Sequence, residues 1–453
     1  MENKPAFLSA DDRKLIGTLC LLIVFGNINI TMFNMAVPSI SGAFSLSSSQ
    51  AGWIMVGYSI VMAVGAGTYG KLSESFSVRK LCTIGLLLFA AGSLTGFFAP
   101  SFKVVVIGRL IQAAGASSIS PLSYGIATRF FEAGIRGRVL GVLSATIAFA
   151  SGFGPVLGGF IEEYAGWRAL FLVSGLCLFL LPLVFRYIPV TERRHEPFDI
   201  AGMVLFSAGM AFIIAGVTVN ILLWAAGLAA LAGFWLRINR TERPFIPAEL
   251  LKNTGYRRIL WIAFITFLCN TGLTFVLPII MKRVFSMQTG KIGLLMIPGA
   301  VSAALLGPVL GRWCDRYGSF RILMLSQRLV VLGFVLLSFS TGFLPLVTAF
   351  LIIVPVLGFN GLLTAGGKLI SMTLKQSEMG MGMGVFTLAY LLGGAFGPAL
   401  TGRLIDLKAP VWTAYIALAA IGALSFIPAL LSGRANAVNK YRKKNIQGKG
   451  KYP

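Results

Sequence analysis

Ten polar side chains lie inside long apolar runs of this 453-residue chain, and they are the residues best suited to bind a small polar molecule. Within each run they recur at spacings of three, four or seven residues, which places them on one face of a helix. Polar groups in an apolar body are costly and normally face a cavity or a partner. The sequence therefore predicts a substrate pathway formed by Asn27, Thr31, Asn34, Arg109, Gln112, Asn270, Thr274, Asn360, Thr364 and Lys368.

Each of these residues also has a structural alternative. A single Asn or Thr can serve only as an interhelical hydrogen-bonding group. Lys368 can extend its ammonium group toward the membrane surface. Arg109 can pair with backbone groups and Gln112 as a structural element. The sequence leaves these alternatives open.

Catalytic and metal-ligating residue types are sparse. The one histidine, His195, lies in a charged loop, and the five cysteines are far apart and mostly within apolar runs. We find neither a nucleophile–base set nor a metal-ligand spacing. The sequence therefore predicts no enzyme activity, no metal site and no cofactor.

Membrane-spanning helices must position the polar residues. Hydrophobic residues make up 56% of the chain and charged residues 12%, whereas a soluble domain carries about a quarter charged residues. The mean hydropathy is +0.83. This excludes an ordinary soluble enzyme, a disordered chain and a secreted disulfide scaffold, and predicts an all-α polytopic membrane protein. Apolar runs of about 20 residues predict fourteen spans, the first ended by Pro38, at 15–37, 51–70, 81–99, 104–126, 139–161, 169–187, 199–218, 221–237, 259–281, 292–311, 322–341, 345–372, 382–402 and 411–431.

The formal net charge of +24 indicates orientation rather than nucleic-acid binding. Lys and Arg collect in the cytoplasmic loops of membrane proteins, and most of them fall on one side if the N-terminus is cytoplasmic. We expect a multi-pass protein of the cell membrane with both termini cytoplasmic. The basic C-terminal tail can contact anionic lipid heads.

The run 200–236 is predicted to form a two-helix hairpin. Basic residues flank it on both sides, Arg193 and Arg194 before it and Arg237 and Arg240 after it. Two basic flanks favour the same side of the membrane and hence an even number of crossings, with a turn near Asn220. The predicted domains are an N-terminal six-helix half (1–197), an inserted hairpin and loop (198–258), and a C-terminal six-helix half with the basic tail (259–453).

Two loops of similar pattern indicate an internal duplication. The segments 70–80 and 311–321 each read Gly, an acid four residues later, and then basic residues. Each follows the second span of its half, as expected of parallel halves in a transporter. A carboxylate at a helix end and cations in the next loop can form an ion pair that holds one side closed, although simple loop solubility is the alternative. The predicted gating residues are Glu74, Arg79, Lys80, Asp315, Arg316 and Arg321.

At these residues the chain resembles the major facilitator superfamily, in particular its fourteen-span drug:proton antiporter branch. The paired loops resemble motif A, with Glu74 in place of Asp and Ser77 in place of Gly in the first copy. The segment 109–115 resembles motif B, with Ala113 in place of a Gly. The resemblance implies two six-helix halves that alternate access to a central cavity, lined by the first and fourth helices of each half.

The segment 150–159 resembles motif C, the antiporter motif of the same family. Its residues are Gly154, Pro155, Gly158 and Gly159. Small residues admit a neighbouring helix, and proline removes a backbone donor. The resemblance implies export, because motif C marks the exporters of the family.

One departure concerns proton coupling. The family carries an acid in its first span where this chain has Asn29, and the 15 carboxylates fall in loops or at helix ends of the predicted topology. A proton antiporter usually needs a titrating carboxylate in its pathway. Coupling through the usual acid is therefore not expected, and the remaining candidates are Glu74, Glu132, Glu162 and Asp315.

The sequence thus predicts a secondary active exporter of a small amphipathic molecule, a monomer, with protons as the candidate coupling ion. An uptake carrier of the same fold and a non-transporting membrane sensor are the alternatives. Because the charges nearest the pathway are Arg109 and Lys368, neutral, zwitterionic or anionic substrates are expected over permanent monocations.

Overall fold

The computed structural model describes residues 9–190, 199–218, 220–241, 244–246, 248–339, 351–374, 379–407 and 410–427, and the regular structure of these residues is entirely helical. Apolar side chains fill the contacts between helices. One cluster is formed by the N-terminal part of the chain, two are formed mainly by the C-terminal part, and two smaller clusters join both parts. The chain is therefore an all-helical, multi-pass membrane protein, as its composition predicts.

The N-terminal part of the chain begins with a capped helix. Ser9 accepts the backbone N–H of Asp12 at 3.0 Å, and the Asp12 carboxylate accepts that of Ser9 at 2.9 Å. The helices of this part are α1 (Ala10–Ala43), α2 (Ser48–Ala51), α3 (Trp53–Ser75), α4 (Val78–Phe97), α5 (Phe102–Ala116), α6 (Ile119–Phe130), α7 (Ala133–Ala165), α8 (Trp167–Gly175) and α9 (Leu181–Tyr187), with a 3-10 turn (Leu176–Leu180) between the last two.

The prediction that Pro38 ends the first helix is wrong. Helix α1 continues through Pro38 to Ala43. A proline removes one backbone hydrogen bond, and the loss is local. Val37 and Ile40 on either side are fully buried and keep this part of the helix packed.

The segment predicted to be an inserted hairpin forms two helices that pack against each other. Helix α10 spans Ile200–Thr218 and α11 spans Leu223–Ile238. Glycines allow the contact, since Gly209 faces Leu231 and Gly227 faces Ile213. The first helix is long and apolar enough to cross a membrane, and the second is a shorter apolar helix, so the hairpin of two membrane crossings stays a prediction.

Asp199 ties this pair of helices together. Its carboxylate accepts Arg237 Nε at 2.6 Å and the backbone N–H groups of Gly202 at 2.9 Å and Phe245 at 3.2 Å. Burial raises the pKa of Asp199, but the hydrogen bonds and the charge of Arg237 outweigh burial, so the pKa lies below its ordinary value. The contact joins the start of α10, the end of α11 and the following loop.

The C-terminal part repeats the packing of the N-terminal part. Its helices are α12 (Ala248–Lys252), α13 (Thr254–Phe285), α14 (Thr289–Leu295), α15 (Ile297–Tyr317), α16 (Ser319–Phe339), α17 (Ile353–Thr373), α18 (Met379–Asp406) and α19 (Val411–Ala423), with a final 3-10 turn (Leu424–Phe426). Helix α1 packs on α7 as α13 packs on α18, α4 on α5 as α16 on α17, and α4 on α8 as α16 on α19. The same pairs therefore meet in both halves, as a duplicated fold requires.

Eleven helices of the described residues are long and apolar enough to cross a membrane. Two predicted spans coincide with the shorter apolar helices Leu223–Ile238 and Trp412–Phe426. The predicted span 292–311 coincides with α14 and α15, which meet at Met296 just before Pro298. The count of fourteen therefore stays a prediction.

The halves meet along two main seams. Helix α3 of the N-terminal half packs on α18, and α7 packs on α14 and α15. Helices α1 and α13 also touch, where Phe33 shares an apolar cluster with Phe275 and Ile279. These contacts place α1, α3 and α7 against the opposite half.

Candidate functional site

Arg109 on α5 is the central residue of the candidate site. Its side chain is fully buried. Its Nη1 donates to Asn29 Oδ1 at 2.6 Å and to Gln112 Oε1 at 2.9 Å. The rings of Phe33 and Tyr58 lie 4.0 Å and 3.9 Å from the guanidinium carbon, one from α1 and one from α3. Three helices thus position the guanidinium group.

The two amide partners of Arg109 extend the hydrogen bonds to further helices. Asn29 Nδ2 donates to Ser174 Oγ at 2.6 Å, and Gln112 Nε2 donates to Ser93 Oγ at 2.7 Å. Both serines donate in turn to carbonyls of their own helices. This orients the amides so that each oxygen faces Arg109 and each nitrogen faces away.

Three buried polar atoms of this cluster have no hydrogen-bond partner among the described residues. They are Nε and Nη2 of Arg109 and the hydroxyl of Tyr58. Such groups are rare in folded proteins and call for an explanation.

The sequence predicted Arg109 and Gln112 but gave Asn29 no place in the pathway. The structure brings all three together, and Asn29, at the family's acidic position, is a direct neutral partner of Arg109. Phe33, Tyr58, Ser93 and Ser174 were also missed. The replacement of the expected acid was the available signal for Asn29.

The remaining predicted pathway residues of the N-terminal half lie on α1. Asn27 donates to the carbonyl of Ile23 at 3.0 Å, and the Thr31 hydroxyl bonds to backbone carbonyls of its own helix. Asn34 is buried. Asn27 and Thr31 are partly exposed.

The predicted pathway residues of the C-terminal half lie on α13 and α17. Thr274 bonds to the backbone of α13, and Asn360 and Thr364 bond to that of α17, at 2.9 to 3.1 Å. Asn270 and Lys368 are partly exposed. Lys368 lies within electrostatic range of Cys314. Their role in a pathway stays a prediction.

The motif C residues form a joint between three helices. A Cβ at Gly158 would lie 2.7 Å from the Met32 Cα of α1. A Cβ at Gly159 would lie 2.7 Å from the Thr289 carbonyl oxygen of α14. Gly154 meets Thr31, and the Pro155 carbonyl faces Gly293. One face of α7 therefore packs within its half and another face packs on the opposite half.

The predicted gating residues lie at the ends of α3 and α15 and in the first turns of α4 and α16. Arg79 Nε donates to the Ile188 carbonyl at 2.7 Å, a contact within its own half. The side chains of Glu74 and Asp315 lie outside the described residues. The other predicted gating residues are exposed: Lys80, Arg316 and Arg321.

The two loops that resemble motif A differ in backbone conformation. Gly318 has φ +91°, in the left-handed region that favours glycine. Ser77, at the matching place of the first copy, has φ −58°. A glycine is therefore needed in the second loop and not in the first.

A set of polar contacts between the halves was not predicted, and we call it the cross-half cluster. Asp406, at the end of α18, accepts the backbone N–H groups of Ser48 at 2.7 Å and Ser49 at 2.9 Å. Arg283 Nη2 donates to Ser48 Oγ at 3.1 Å. Lys282 Nζ donates to Ser39 Oγ at 2.9 Å.

The cross-half cluster continues along the second seam. Ser39 donates to Glu162, and Glu163 Oε2 accepts the backbone N–H of Gly290 at 2.6 Å. The contacts join the ends of α1, α7, α13 and α18 to the starts of α2 and α14. They hold the two halves together at one end of the bundle, and acids at helix ends beside basic residues were the available signal.

Comparison with known proteins agrees with this fold. The chain is 28% identical to the multidrug resistance protein B homolog of Mycobacterium tuberculosis, over 86% of this chain and 75% of the relative. It is 26% identical to the riboflavin transporter RibZ of Clostridioides difficile, over 70% of this chain and 71% of the relative. A multidrug resistance protein Stp of M. tuberculosis is 25% identical, over 86% and 75%.

Two solved structures share the fold. The human organic anion transporter MFSD10 has a TM-score of 0.63 at 16% identity, covering 93% of this chain and 99% of that one. An inward-facing, unoccupied bacterial homolog of the human lysosomal transporter Spinster has a TM-score of 0.64 at 14% identity, covering 94% and 98%.

The Major Facilitator Superfamily profile matches residues 19–250 and 259–451. The relatives named as multidrug resistance proteins support the predicted drug-efflux branch. The prediction of a transporter rather than an enzyme is confirmed. The chain belongs to the Major Facilitator Superfamily.

Proposed function

We propose that this chain is a secondary active exporter of small amphipathic molecules, such as drugs, antibiotics or metabolites, in the cell membrane. It is proposed to act as a monomer of two six-helix halves and an inserted two-helix hairpin, with both termini cytoplasmic. An ion gradient, with protons as the candidate ion, drives export.

The observation that carries the proposal is the motif C joint on α7. Gly158 packs on α1, and Gly159 packs on α14 of the opposite half. A helix that fits closely against both halves transmits a rotation of one half to the other, because packed interfaces shift between discrete arrangements. The family resemblance associates this motif with export, and the relatives named as drug-resistance proteins agree with that direction.

The cross-half cluster supports alternating access. It joins the halves at one end through hydrogen bonds, several of them to charged groups. Each such bond contributes about 1.5–3 kcal/mol at most, so a few of them can be broken and remade in a transport cycle. With the N-terminus cytoplasmic, this end faces outward and the described conformation is closed to the outside.

Everted membrane vesicles test the direction of transport. We expect proton-gradient-dependent accumulation of an amphipathic dye inside everted vesicles that contain the wild-type protein. A protonophore should abolish the accumulation. Gly158→Leu, which displaces α7 from α1, is the inactive control.

Two results would contradict the proposal. Accumulation only in right-side-out vesicles would identify an uptake carrier. Saturable binding with no flux in either orientation would identify a sensor. A drug and metabolite sensitivity screen of a deletion strain would then narrow the substrate class.

A further inference from the structure

The guanidinium of Arg109 has hydrogen-bond partners on one edge and none among the described residues on another. Nη1 is occupied by Asn29 and Gln112, whereas Nε and Nη2 have no partner among the described residues. The N–H groups of Nε and Nη2 point the same way and form the fork that binds a carboxylate through two parallel hydrogen bonds. We propose that this edge of Arg109 binds the carboxylate of an amphipathic organic anion.

The charge of Arg109 supports an anionic ligand over a purely structural role. Asn29 and Gln112 satisfy two hydrogen bonds, but both are neutral. The described residues place no carboxylate within ion-pair distance of the guanidinium, and the side chain is fully buried. An uncompensated buried charge is strongly destabilising, and the two aromatic rings offset only part of that cost. If Arg109 had only a structural role, an acid at position 29 would compensate its charge and stabilise the fold, but this chain has an amide there.

The Tyr58 hydroxyl offers a third donor in the same place. Its ring lies against the guanidinium, and its hydroxyl is buried without a partner. A phenol hydroxyl can donate to a carboxylate oxygen. Three unpaired donors beside a buried positive charge suit an oxyanion, because a neutral acceptor leaves the charge of Arg109 uncompensated and a cationic ligand is repelled by it.

A ligand can reach Arg109 when the halves separate. Arg109 is closed off in this conformation, but the two rings that cover it belong to helices of the seams. Phe33 packs in one cluster with Phe275 and Ile279 of the opposite half, and the helix of Tyr58 packs on α18. Phe33 thus touches the guanidinium and also belongs to the apolar cluster that joins the halves, so movement at that contact can move this ring. Tyr58 itself packs in the apolar cluster of the N-terminal half.

This inference names a substrate class for the proposed exporter, but its test measures binding and needs no transport. Purified full-length protein in detergent is titrated with benzoate and with benzamide, which share a ring and differ in charge. We expect the wild type to bind benzoate at least about tenfold more tightly, as for a hydrogen-bonded charged pair. Asn29→Asp places a carboxylate beside Arg109 and should abolish this preference, as should Arg109→Gln.

Control variants separate the site from general effects on the fold. Gln327→Leu removes a buried polar group of the C-terminal half, where Gln327 bonds to Thr266, and should keep the preference for benzoate. Tyr58→Phe should weaken benzoate binding severalfold and leave benzamide binding unchanged. If Arg109→Gln does not fold, the benzoate preference of Asn29→Asp alone tests the proposal.

Equal binding of benzoate and benzamide by the wild type would overturn the proposal, as would a preference that persists in Asn29→Asp. Competition with acetate distinguishes a small free carboxylate from the carboxylate of an amphipathic molecule as the ligand. Displacement of benzoate by similar concentrations of acetate supports a small free carboxylate as the occupant, and displacement only at much higher concentrations supports an amphipathic substrate. Loss of export with intact benzoate selectivity would refute the proposed function alone.

Discussion

Asp406 accepts the backbone N–H of Ser48 at 2.7 Å across the contact between the two halves. The second oxygen of the same carboxylate accepts the next backbone N–H, that of Ser49, at 2.9 Å. Both serines are buried. The negative charge thus lies at the start of α2, where unpaired backbone donors favour an anion. A side chain of the C-terminal half therefore accepts the free backbone N–H groups at the start of a helix of the N-terminal half.

Asp406→Asn should weaken this end of the contact. An asparagine presents one oxygen and one NH2 group, so one of the two backbone donors faces another donor. The expected cost is about 1–3 kcal/mol for the closed arrangement. Spin labels at Ala43 and Leu407, both exposed, in a cysteine-free protein should report a longer distance. Asp11→Asn, whose carboxylate is 90% exposed, is the matched control, and an unchanged distance in Asp406→Asn would refute the role.

Gly158→Ala should disturb the joint between α7 and α1. The added Cβ would lie 2.7 Å from the Met32 Cα, which is closer than real Cβ contacts allow. Overpacking of this kind costs about 1–3 kcal/mol. We expect lower thermal stability in detergent and reduced transport. Gly141→Ala on the same helix, where a Cβ meets nothing within 4 Å, should change neither, and equal behaviour of the two variants would show that the close contact has no consequence.

The helices were largely predictable because a membrane span leaves a long apolar run. The predicted starts and ends differ from the observed ones where a helix extends beyond its apolar run. Helix α1 begins at Ala10 and ends at Ala43, against a predicted 15–37. The polar ends of such a helix carry no hydropathy signal, and a proline inside a helix cannot be told from one at its end.

The candidate site was predicted only in part. Arg109 and Gln112 were found because they share a helix and are three residues apart. Asn29, Tyr58 and Ser174 come from other helices, and only tertiary packing brings them to Arg109. The cross-half cluster was missed for the same reason, since its bonds join residues more than a hundred positions apart.

Asp199→Asn should loosen the contact between α10 and α11. The carboxylate holds Arg237, Gly202 and Phe245, and we expect a loss of about 1–2 kcal/mol, since Arg237 is 40% exposed. Hydrogen exchange of α11 measures the effect. Glu249→Gln, an exposed acid, is the control and should leave exchange unchanged.

The contribution of Asp199 should depend on pH. Its pKa is lowered in the folded protein, so its stabilising contribution is complete above the unfolded carboxyl pKa of about 3.9. The contribution is lost as the pH falls through the lower, folded pKa. The difference between wild type and Asp199→Asn should therefore be constant near neutral pH and disappear in strong acid. A difference that grows on acidification would contradict the assigned sign.

Reporter fusions test the predicted topology. A fusion after Asn220, between α10 and α11, should report an external position, because basic residues flank the hairpin on both sides. A fusion after Lys440 should report a cytoplasmic position. Asn220 in the cytoplasm would exclude the hairpin and the count of fourteen spans.

The paired motif A loops are predicted to close the cytoplasmic side. Asp315→Asn removes a carboxylate that can accept charge-assisted hydrogen bonds, with an expected cost of about 1–3 kcal/mol. Transport in everted vesicles should fall, while the amount of protein in the membrane and its thermal stability should persist. Glu74→Gln should have a similar effect if the two copies act together. The matched control is again Glu249→Gln, which removes an exposed acid on α12 and should leave transport unchanged. Unchanged transport in both Glu74→Gln and Asp315→Asn would leave loop solubility as the only role of these acids.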